Sequence, residues 1–245
     1  MEVDEHSLHA PFAFEIYQEV LQKRKENYPE EPENLRNQLL DNDSWIETTD
    51  LGAGSKVNSG KQKQISRIAR HEISSKGFSR ILFNLIEFKN YQNILEIGTS
   101  LGVNSAYISL AAKNGKVWTI EGCPATAEVA RSGFQKLGLE NIQSLDGNAD
   151  DLLADTLEDM GKVDLAYLDG NHTYEATIRY FKQIKPFLSE GAAVVIDDIY
   201  WSPGMEKAWE EICGSISHGL AMDLHSFGII FLTNGPGMEK IRVKI

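Results

Sequence analysis

From residue 93 onward, short apolar runs rich in branched side chains alternate with longer stretches in which apolar residues recur at three- and four-residue intervals. The runs Asn93–Ile97, Lys116–Ile120, Asn141–Leu145, Val163–Leu168 and Ala192–Ile196 read as strands, because a continuous apolar segment of that length suits a strand buried on both faces. Between them, Ser105 to Lys113, Pro124 to Leu137, Leu152 to Glu158 and Tyr174 to Leu188 carry the helical spacing. Pro124 suits a first helical position and Gly138 a helix stop. Each strand ends in a polar cluster: Gly98-Thr99-Ser100-Leu101-Gly102, then Glu121, Asp146-Gly147-Asn148-Ala149, Asp169-Gly170-Asn171-His172, and Asp197-Asp198. Such alternation predicts right-handed crossovers and a parallel sheet whose ligand site lies at the strands' carboxyl ends. In Leu220 to Leu232 two β-like runs stand too close together for a crossover helix and predict an antiparallel hairpin. The expected fold is α/β: a Rossmann-like parallel sheet with helices on both faces and a C-terminal antiparallel β-hairpin.

The earlier part of the chain is less regular. Phe12 to Asn27 has apolar residues at Ile16, Val20 and Leu21 and predicts an amphipathic helix, interrupted by Pro29 and Pro32 in an acidic run. Asp50-Leu51-Gly52-Ala53-Gly54-Ser55 imitates a nucleotide-binding glycine turn. The segment before it is too polar for a central strand, and the one after it is no apolar-faced helix, so a polar loop is the expectation and a lid over the substrate its functional counterpart. Gln62 to Phe88 predicts two helices joined around Ser74 to Gly77. Residues 1–60 therefore form an N-terminal extension of helix plus polar loop, and residues 61–245 one domain. No internal repeat or low-complexity segment occurs.

Composition narrows the function. A chain of 245 residues, 42% hydrophobic and 24% charged, buries one sizeable core. A net charge of −12 and a pI near 5.0 argue against a surface that tracks phosphates, so the expected partner is a small molecule rather than nucleic acid. Two cysteines, Cys123 and Cys213, are too few for a disulfide framework and fit a reducing compartment. With neither a signal-peptide pattern nor an apolar run long enough to span a bilayer, a soluble, cytoplasmic protein with no membrane partner is expected.

The first strand and turn carry the sharpest chemistry. A glycine at the carboxyl end of the strand lets the backbone approach a ligand, and the free amides of the next helix favour polar groups there. An acid at the tip of the neighbouring strand, Glu121, is placed to accept hydrogen bonds from both hydroxyls of a ribose. The stretch is suited to a nucleoside. It does not fit a dinucleotide, because a fingerprint starting at Gly98 needs further glycines where Ser100 and Val103 stand.

Taken together, LEIGTSLG at the first turn, Glu121, the Asp146 turn, YLDGNHTYE (Tyr167 to Glu175) and VVIDDI (Val194 to Ile199) resemble the class I S-adenosylmethionine-dependent methyltransferases. Within them they are similar to the branch of the catechol-type and cephalosporin-type O-methyltransferases. The resemblance spans roughly Gly77 to Thr233 and implies a seven-stranded sheet, S-adenosylmethionine as cofactor and methyl transfer to a small-molecule acceptor. Residue by residue it implies that Glu96 reaches towards the methionine amino group, that Gly98, Thr99 and Ser100 pass beneath the ligand, and that Glu121 and Gly122 border the ribose. Asp146, Asn148 and Ala149 would border the adenine, and Asp169 would also face the cofactor. The local alternatives are a polar strand end for Glu96, a helix-start acid for Glu121 and an ordinary Asp-Gly turn for Asp146.

Asp169, Asp197 and Asp198 end neighbouring strands, so their like charges converge. A hard divalent cation such as Mg²⁺ relieves that repulsion, and the resemblance implies a metal site there completed by acceptor hydroxyls. The sequence departs from the catechol pattern in having no lysine shortly after Asp169. Either His172 takes the acceptor proton, with Asp169 beside it, or it caps and packs on the helix that follows. Lys76, His71 and Trp201 are further candidates on the acceptor side. The expectation is O-methylation of a small hydroxylated metabolite with Mg²⁺. Metal-independent transfer to nitrogen or carbon stands open, as does a catalytically idle nucleoside-binding protein. No motif demonstrates a homodimer, for which the N-terminal helices and the hairpin are the candidate surfaces.

Overall fold

The computed structural model describes residues 2–3, 11–24, 28–49, 62–235 and 237–244. The glycine-bearing segment 50–55, expected as a polar loop or lid, lies outside the described residues. The elements are β1 (Glu2–Val3), α1 (Pro11–Ile16), α2 (Glu31–Leu40), β2 (Trp45–Glu47), β3 (Gln62–Gln64), α3 (Ile65–His71), α4 (Lys76–Lys89), β4 (Asn93–Ile97), α5 (Val103–Ala111), β5 (Lys116–Glu121) and α6 (Pro124–Leu137). They continue with β6 (Ile142–Asp146), α7 (Ala149–Met160), β7 (Val163–Leu168), α8 (Tyr174–Ile184), β8 (Leu188–Asp197), α9 (Pro203–Gly214), β9 (Gly219–Asp223), β10 (Phe227–Leu232) and β11 (Met238–Val243).

One large sheet has the order β1-β11-β9-β10-β8-β7-β4-β5-β6, and β2 and β3 form a separate antiparallel ribbon. The α/β architecture expected from the alternation is present, with β4 to β8 parallel and the β9–β10 hairpin antiparallel. Among the described residues the sheet has nine strands where seven were expected: β11 adds in parallel to β9, and β1 adds in parallel to β11. The segment MEKIRV of β11 carries no apolar alternation that marks a strand in the sequence, and most of it is exposed or partly exposed, as suits a strand near a sheet edge.

Period-two alternation sends each strand's residues to opposite faces. Leu95, Ile97, Trp118, Ile120, Ala166, Leu168, Val194 and Ile196 pack beneath α7, α8 and α9. Ile94, Val117, Leu165, Tyr167, Ala193 and Val195 pack beneath α1, α4 and α5. A third cluster joins Leu35 and Leu39 of α2 to Ile65 and Ile68 of α3 and Tyr107 of α5. Residues of the N-terminal stretch thus contribute to two of the three clusters.

Helix ends follow local chemistry. Ser75 caps α4 through the Phe78 amide, 3.2 Å away, and Asn90 closes it in the left-handed conformation. Pro124 opens α6 and Gly138 ends it, as expected. Other boundaries differ from the sequence expectation. The first helix widens into a π-type turn over Tyr17–Leu21 and stops there instead of running to Asn27. Pro29 and Pro32 fall after the end of that helix, and Pro32 also lies in the first turn of α2, where a proline forfeits no internal hydrogen bond. The helix expected from Leu152 starts at Ala149, because the Asn148 side chain accepts from the Asp150 amide at 3.0 Å. Ser202 caps α9, a helix not anticipated from the sequence, although Ser202-Pro203 followed by Met205, Ala208, Trp209 and Ile212 is a helix-start signal.

Candidate active site

A cavity of about 1060 Å³ opens at the carboxyl ends of the central strands. Its cofactor-side wall includes Gly98, Ser100, Glu121, Gly122, Asn148 and Ala149, and its other wall includes Phe78, Asp169, His172, Asp197, Asp198 and Phe227. The turn after β4 has positive φ at Gly98 (101°), Ser100 (48°) and Gly102 (82°). The Gly98 amide donates to Ile120 O at 2.9 Å, which ties the turn to β5. Glu121, at the tip of β5, accepts the Ser100 amide on Oε2 at 2.7 Å and the Cys123 amide on Oε1 at 2.9 Å. Burial raises the pKa of this carboxyl, and the two amides oppose that shift. A carboxylate has about four lone-pair positions, so Glu121 shapes the turn and retains acceptor capacity for a ligand's hydroxyls.

The structure places three of the proposed cofactor residues off the cavity wall. Glu96 alternates onto the face covered by α5, where its Oε2 accepts from the Ser105 hydroxyl and from Thr119 Oγ1 at 2.6 Å. Thr99 is buried with its hydroxyl 2.5 Å from that of Thr119. Asp146 turns outward to pair with Arg131. In these positions Glu96 and Thr99 brace the turn from below, and Asp146 ties the end of β6 to α6.

Glu96 is fully buried, and burial pushes its pKa up to about 7 from a usual 4.5, with the two hydroxyls opposing the shift. Its Oε1 has no hydrogen-bond partner among the described residues. A carboxyl with a raised folded-state pKa binds protons more tightly folded than unfolded, so stability falls as pH rises from about 4.5 to about 7 and stays lower above that. The loss is of order 3 kcal/mol at 1.36 kcal/mol per pH unit. Glu96→Gln removes the titration while keeping an oxygen for both hydroxyls. Thermal unfolding is therefore expected to give the variant a higher Tm than wild type at pH 8 and a similar Tm at pH 4.5; equal pH profiles would show that Glu96 does not titrate in this way.

At the end of β7, the Asp169 amide donates to Ile97 O at 2.8 Å. Asp169 Oδ2 accepts from Tyr167 Oη at 2.6 Å, and the same hydroxyl lies 3.2 Å from Asp197 Oδ2. Asp197 Oδ1 accepts the Asp198 amide at 3.0 Å. Burial, and then Asp197, raise Asp169 well above the usual carboxylate range; burial, and then Asp198, push Asp197 up to about 6. His172 Nε2 stands 3.6 Å from Asp169 Oδ1. Burial lowers its pKa against the opposing pull of Asp198, so the imidazole is neutral near pH 7. It does not cap the following helix: that role belongs to Thr173, whose hydroxyl accepts from the Ala176 amide.

Among the described residues, no three His, Cys, Asp or Glu side chains gather closely enough to hold a metal ion. The set Asp169, Asp197 and Asp198 is therefore not assembled as a three-ligand site; Asp169 and Asp197 approach each other through Tyr167, while Asp198 lies at φ 52° on the same cavity wall. His71 and Trp201 line the cavity, whereas Lys76 points to Glu33 of α2 at 3.6 Å. Sequence reading missed Lys63, buried on the cavity wall with its ammonium 2.8 Å from Glu72, and Tyr167, which period-two alternation from Asp169 places on the same side of the sheet. Among the described residues, no helix is long and apolar enough to cross a membrane.

Comparison with known proteins gives the same picture. The family described as "Methyltransferase domain" matches residues 95–199. Protein-L-isoaspartate O-methyltransferase of Methanococcus aeolicus is 39% identical over 69 residues, 28% of this chain and 32% of that protein. Catechol O-methyltransferase of Niastella koreensis is 30% identical over 125 residues, covering 50% and 54% of the two chains. The alignments thus span about a third to about half of the length of these relatives. Among solved structures, the O-methyltransferase TomG of Streptomyces achromogenes, in complex with SAM, superposes with a TM-score of 0.60 at 22% identity over 67% of this chain and 83% of that one. The SAH-bound methyltransferase PaMTH1 of Podospora anserina covers 93% of this chain and 97% of its own at TM-score 0.64 and 15% identity. The sequence match over the sheet's central units and the shared fold agree: residues 95–199 are similar to the methyltransferase-domain family, and the chain has the fold of these methyltransferases.

Proposed function

We propose that this protein is an S-adenosylmethionine-dependent methyltransferase acting on a hydroxyl oxygen of a small-molecule acceptor, with assistance from Mg²⁺. The observation that carries the reading is Glu121: a partly buried carboxylate on the cavity wall, held by two backbone amides of the turns it joins, with acceptor capacity left for a ribose. Gly98, Ser100 and Gly122 would border the same ligand, and Asn148 and Ala149 its base. Bound there, the cofactor supplies an electrophilic methyl on a sulfonium, whose direct displacement needs chiefly alignment and exclusion of water.

The residues of the opposite wall suit the acceptor. Neutral His172 is available to take the proton of a hydroxyl, and the charge it acquires would lie near Asp169 and Asp198. Mg²⁺ needs only one or two carboxylates, completing its shell with water and substrate oxygens. The Asp169–Asp197 pair fits that requirement: the Tyr167 hydroxyl donates to Asp169 Oδ2 and lies 3.2 Å from Asp197 Oδ2, and Asp169 Oδ1 faces His172. A cation held there supplies Lewis-acid polarisation of an acceptor hydroxyl. The dispersed position of Asp198 favours a second reading, metal-independent transfer with His172 alone as base.

Calorimetric titration of S-adenosylhomocysteine, with Mg²⁺ and again after EDTA, tests both parts. Saturable S-adenosylhomocysteine heat is expected in each case, with separate saturable Mg²⁺ heat that Asp169→Ala abolishes. Absence of S-adenosylhomocysteine binding would overturn the methyltransferase reading. Its presence without Mg²⁺ heat would overturn the metal-assisted form alone.

A further inference from the structure

The hydroxyl that joins Asp169 to Asp197 ends a chain of buried hydrogen bonds that begins on α2. Arg36 Nη1 donates to Ser74 O at 2.8 Å, and Arg36 Nη2 lies 3.4 Å from Ser79 Oγ. Ser79 Oγ is 2.7 Å from Asn104 Oδ1, Asn104 Nδ2 is 2.8 Å from Ser74 Oγ and 3.3 Å from Tyr167 Oη, and Tyr167 Oη reaches both carboxylates. Ser79 and Tyr167 are fully buried, and Asn104 nearly so.

The end groups set the direction. A guanidinium can only donate, and a carboxylate in the ionised form that binds a cation can only accept. With its oxygen facing Arg36, Ser79 turns its hydrogen to the Asn104 oxygen. The Asn104 amide group then faces Tyr167 as a donor, so the phenol oxygen accepts from Asn104 and its hydrogen is left for the carboxylates. The Tyr167 hydrogen therefore goes to Asp169 Oδ2 at 2.6 Å and is shared with Asp197 Oδ2 at 3.2 Å, leaving Asp169 Oδ1 towards His172 and the cavity. The ring is fixed as well, packed at 5.5 Å from Phe78 of α4.

We propose that Tyr167 is a positioning residue, oriented through Arg36, Ser79 and Asn104, which presents the Asp169–Asp197 pair to a divalent cation. This rests on the metal-assisted form of the proposed function. Groups that hydrogen-bond to metal ligands fix ligand orientation, and their removal typically weakens metal binding by about 10- to 100-fold.

The test is calorimetric titration of Mg²⁺ into the S-adenosylhomocysteine-bound protein, comparing wild type with Tyr167→Phe and Ser79→Ala. Tyr167→Phe keeps the ring and its packing and removes only the terminal hydroxyl. Its Mg²⁺ affinity is expected to fall about tenfold, and that of Ser79→Ala, which frees the Asn104 amide to turn, in the same direction by less. S-adenosylhomocysteine affinity is expected to stay within about twofold of wild type in both. Unchanged Mg²⁺ affinity in Tyr167→Phe overturns the proposal and leaves metal assistance standing. Parallel loss of S-adenosylhomocysteine affinity overturns it as well, by showing a general structural role. If wild type gives no Mg²⁺ heat, the metal-assisted reading and this proposal fall together.

Discussion

Glu121→Gln is expected to bind S-adenosylhomocysteine about a hundredfold more weakly than wild type, a loss near 2.7 kcal/mol, and to behave almost as badly as Glu121→Ala. An amide usually replaces a carboxylate mildly where the carboxylate only accepts hydrogen bonds from hydroxyls, because hydroxyls can reverse their direction. Here both oxygens face backbone N–H groups, of Ser100 and of Cys123, which cannot reverse. Whichever way the glutamine side chain is turned, its NH₂ group meets one of those amides donor to donor. The turn after β4 or the start of α6 must then move, and the ribose site with it. Titration calorimetry on the two variants decides the matter. Near-wild-type affinity in Glu121→Gln would mean that the carboxylate's negative charge and one of the two amide contacts are dispensable.

Gly98→Ala is expected to abolish measurable S-adenosylhomocysteine binding and to destabilise the fold by about 3 kcal/mol or more. The φ of 101° already disfavours any side chain. More decisively, a Cβ at this position would stand 2.1 Å from Asp169 O and 2.7 Å from Asp169 C, backbone atoms that no rotamer change can move. The glycine serves two ligands' sites at once. The cofactor turn lies against the backbone of the residue whose side chain faces the acceptor, and the Asp169 amide is in turn fixed to Ile97 O. Thermal unfolding together with calorimetry checks this; a stable variant that binds the cofactor product normally would show that the two turns can separate without cost.

The parts of the structure legible in the sequence are those whose information is local. The strand run Asn93–Ile97, the glycine turn and Glu121 declare themselves because hydrophobic periodicity, a positive-φ requirement and an acid at a strand tip each leave a signature within a few residues. Gly138 as the end of α6 is legible for the same reason. Side-chain direction was less accessible. Glu96 looks like a ligand-facing acid when read one-dimensionally, yet its register opposite Thr119 and beneath α5 turns it into the core. Asp146 has an Asp-Gly signature that is the same whether the acid faces a ligand or, as here, Arg131. The acid cluster was legible as a convergence of strand ends, but not its internal structure. That depends on Tyr167, Asn104 and Ser79, which come from three elements and carry no common spacing. The strand β11, next to the edge of the sheet, and the N-terminal contribution to the cavity wall are products of tertiary packing and have no sequence signature of their own.

The two walls of the cavity differ in how far along the chain their residues are drawn from, and this bears on the order in which they form. Gly98, Ser100, Glu121, Gly122, Asn148 and Ala149 belong to consecutive strand–helix units. Leu21 and Phe227, about two hundred positions apart, meet in one apolar cluster on the acceptor side, with Phe227 against Phe78 at 4.5 Å. Contacts that close long loops become favourable only after the local ones have reduced the entropy of the chain between them. A refolding chain should therefore regain the cofactor cradle before the acceptor wall, and the native molecule should open in the reverse order. The cofactor can then serve as a template on which the acceptor wall is completed.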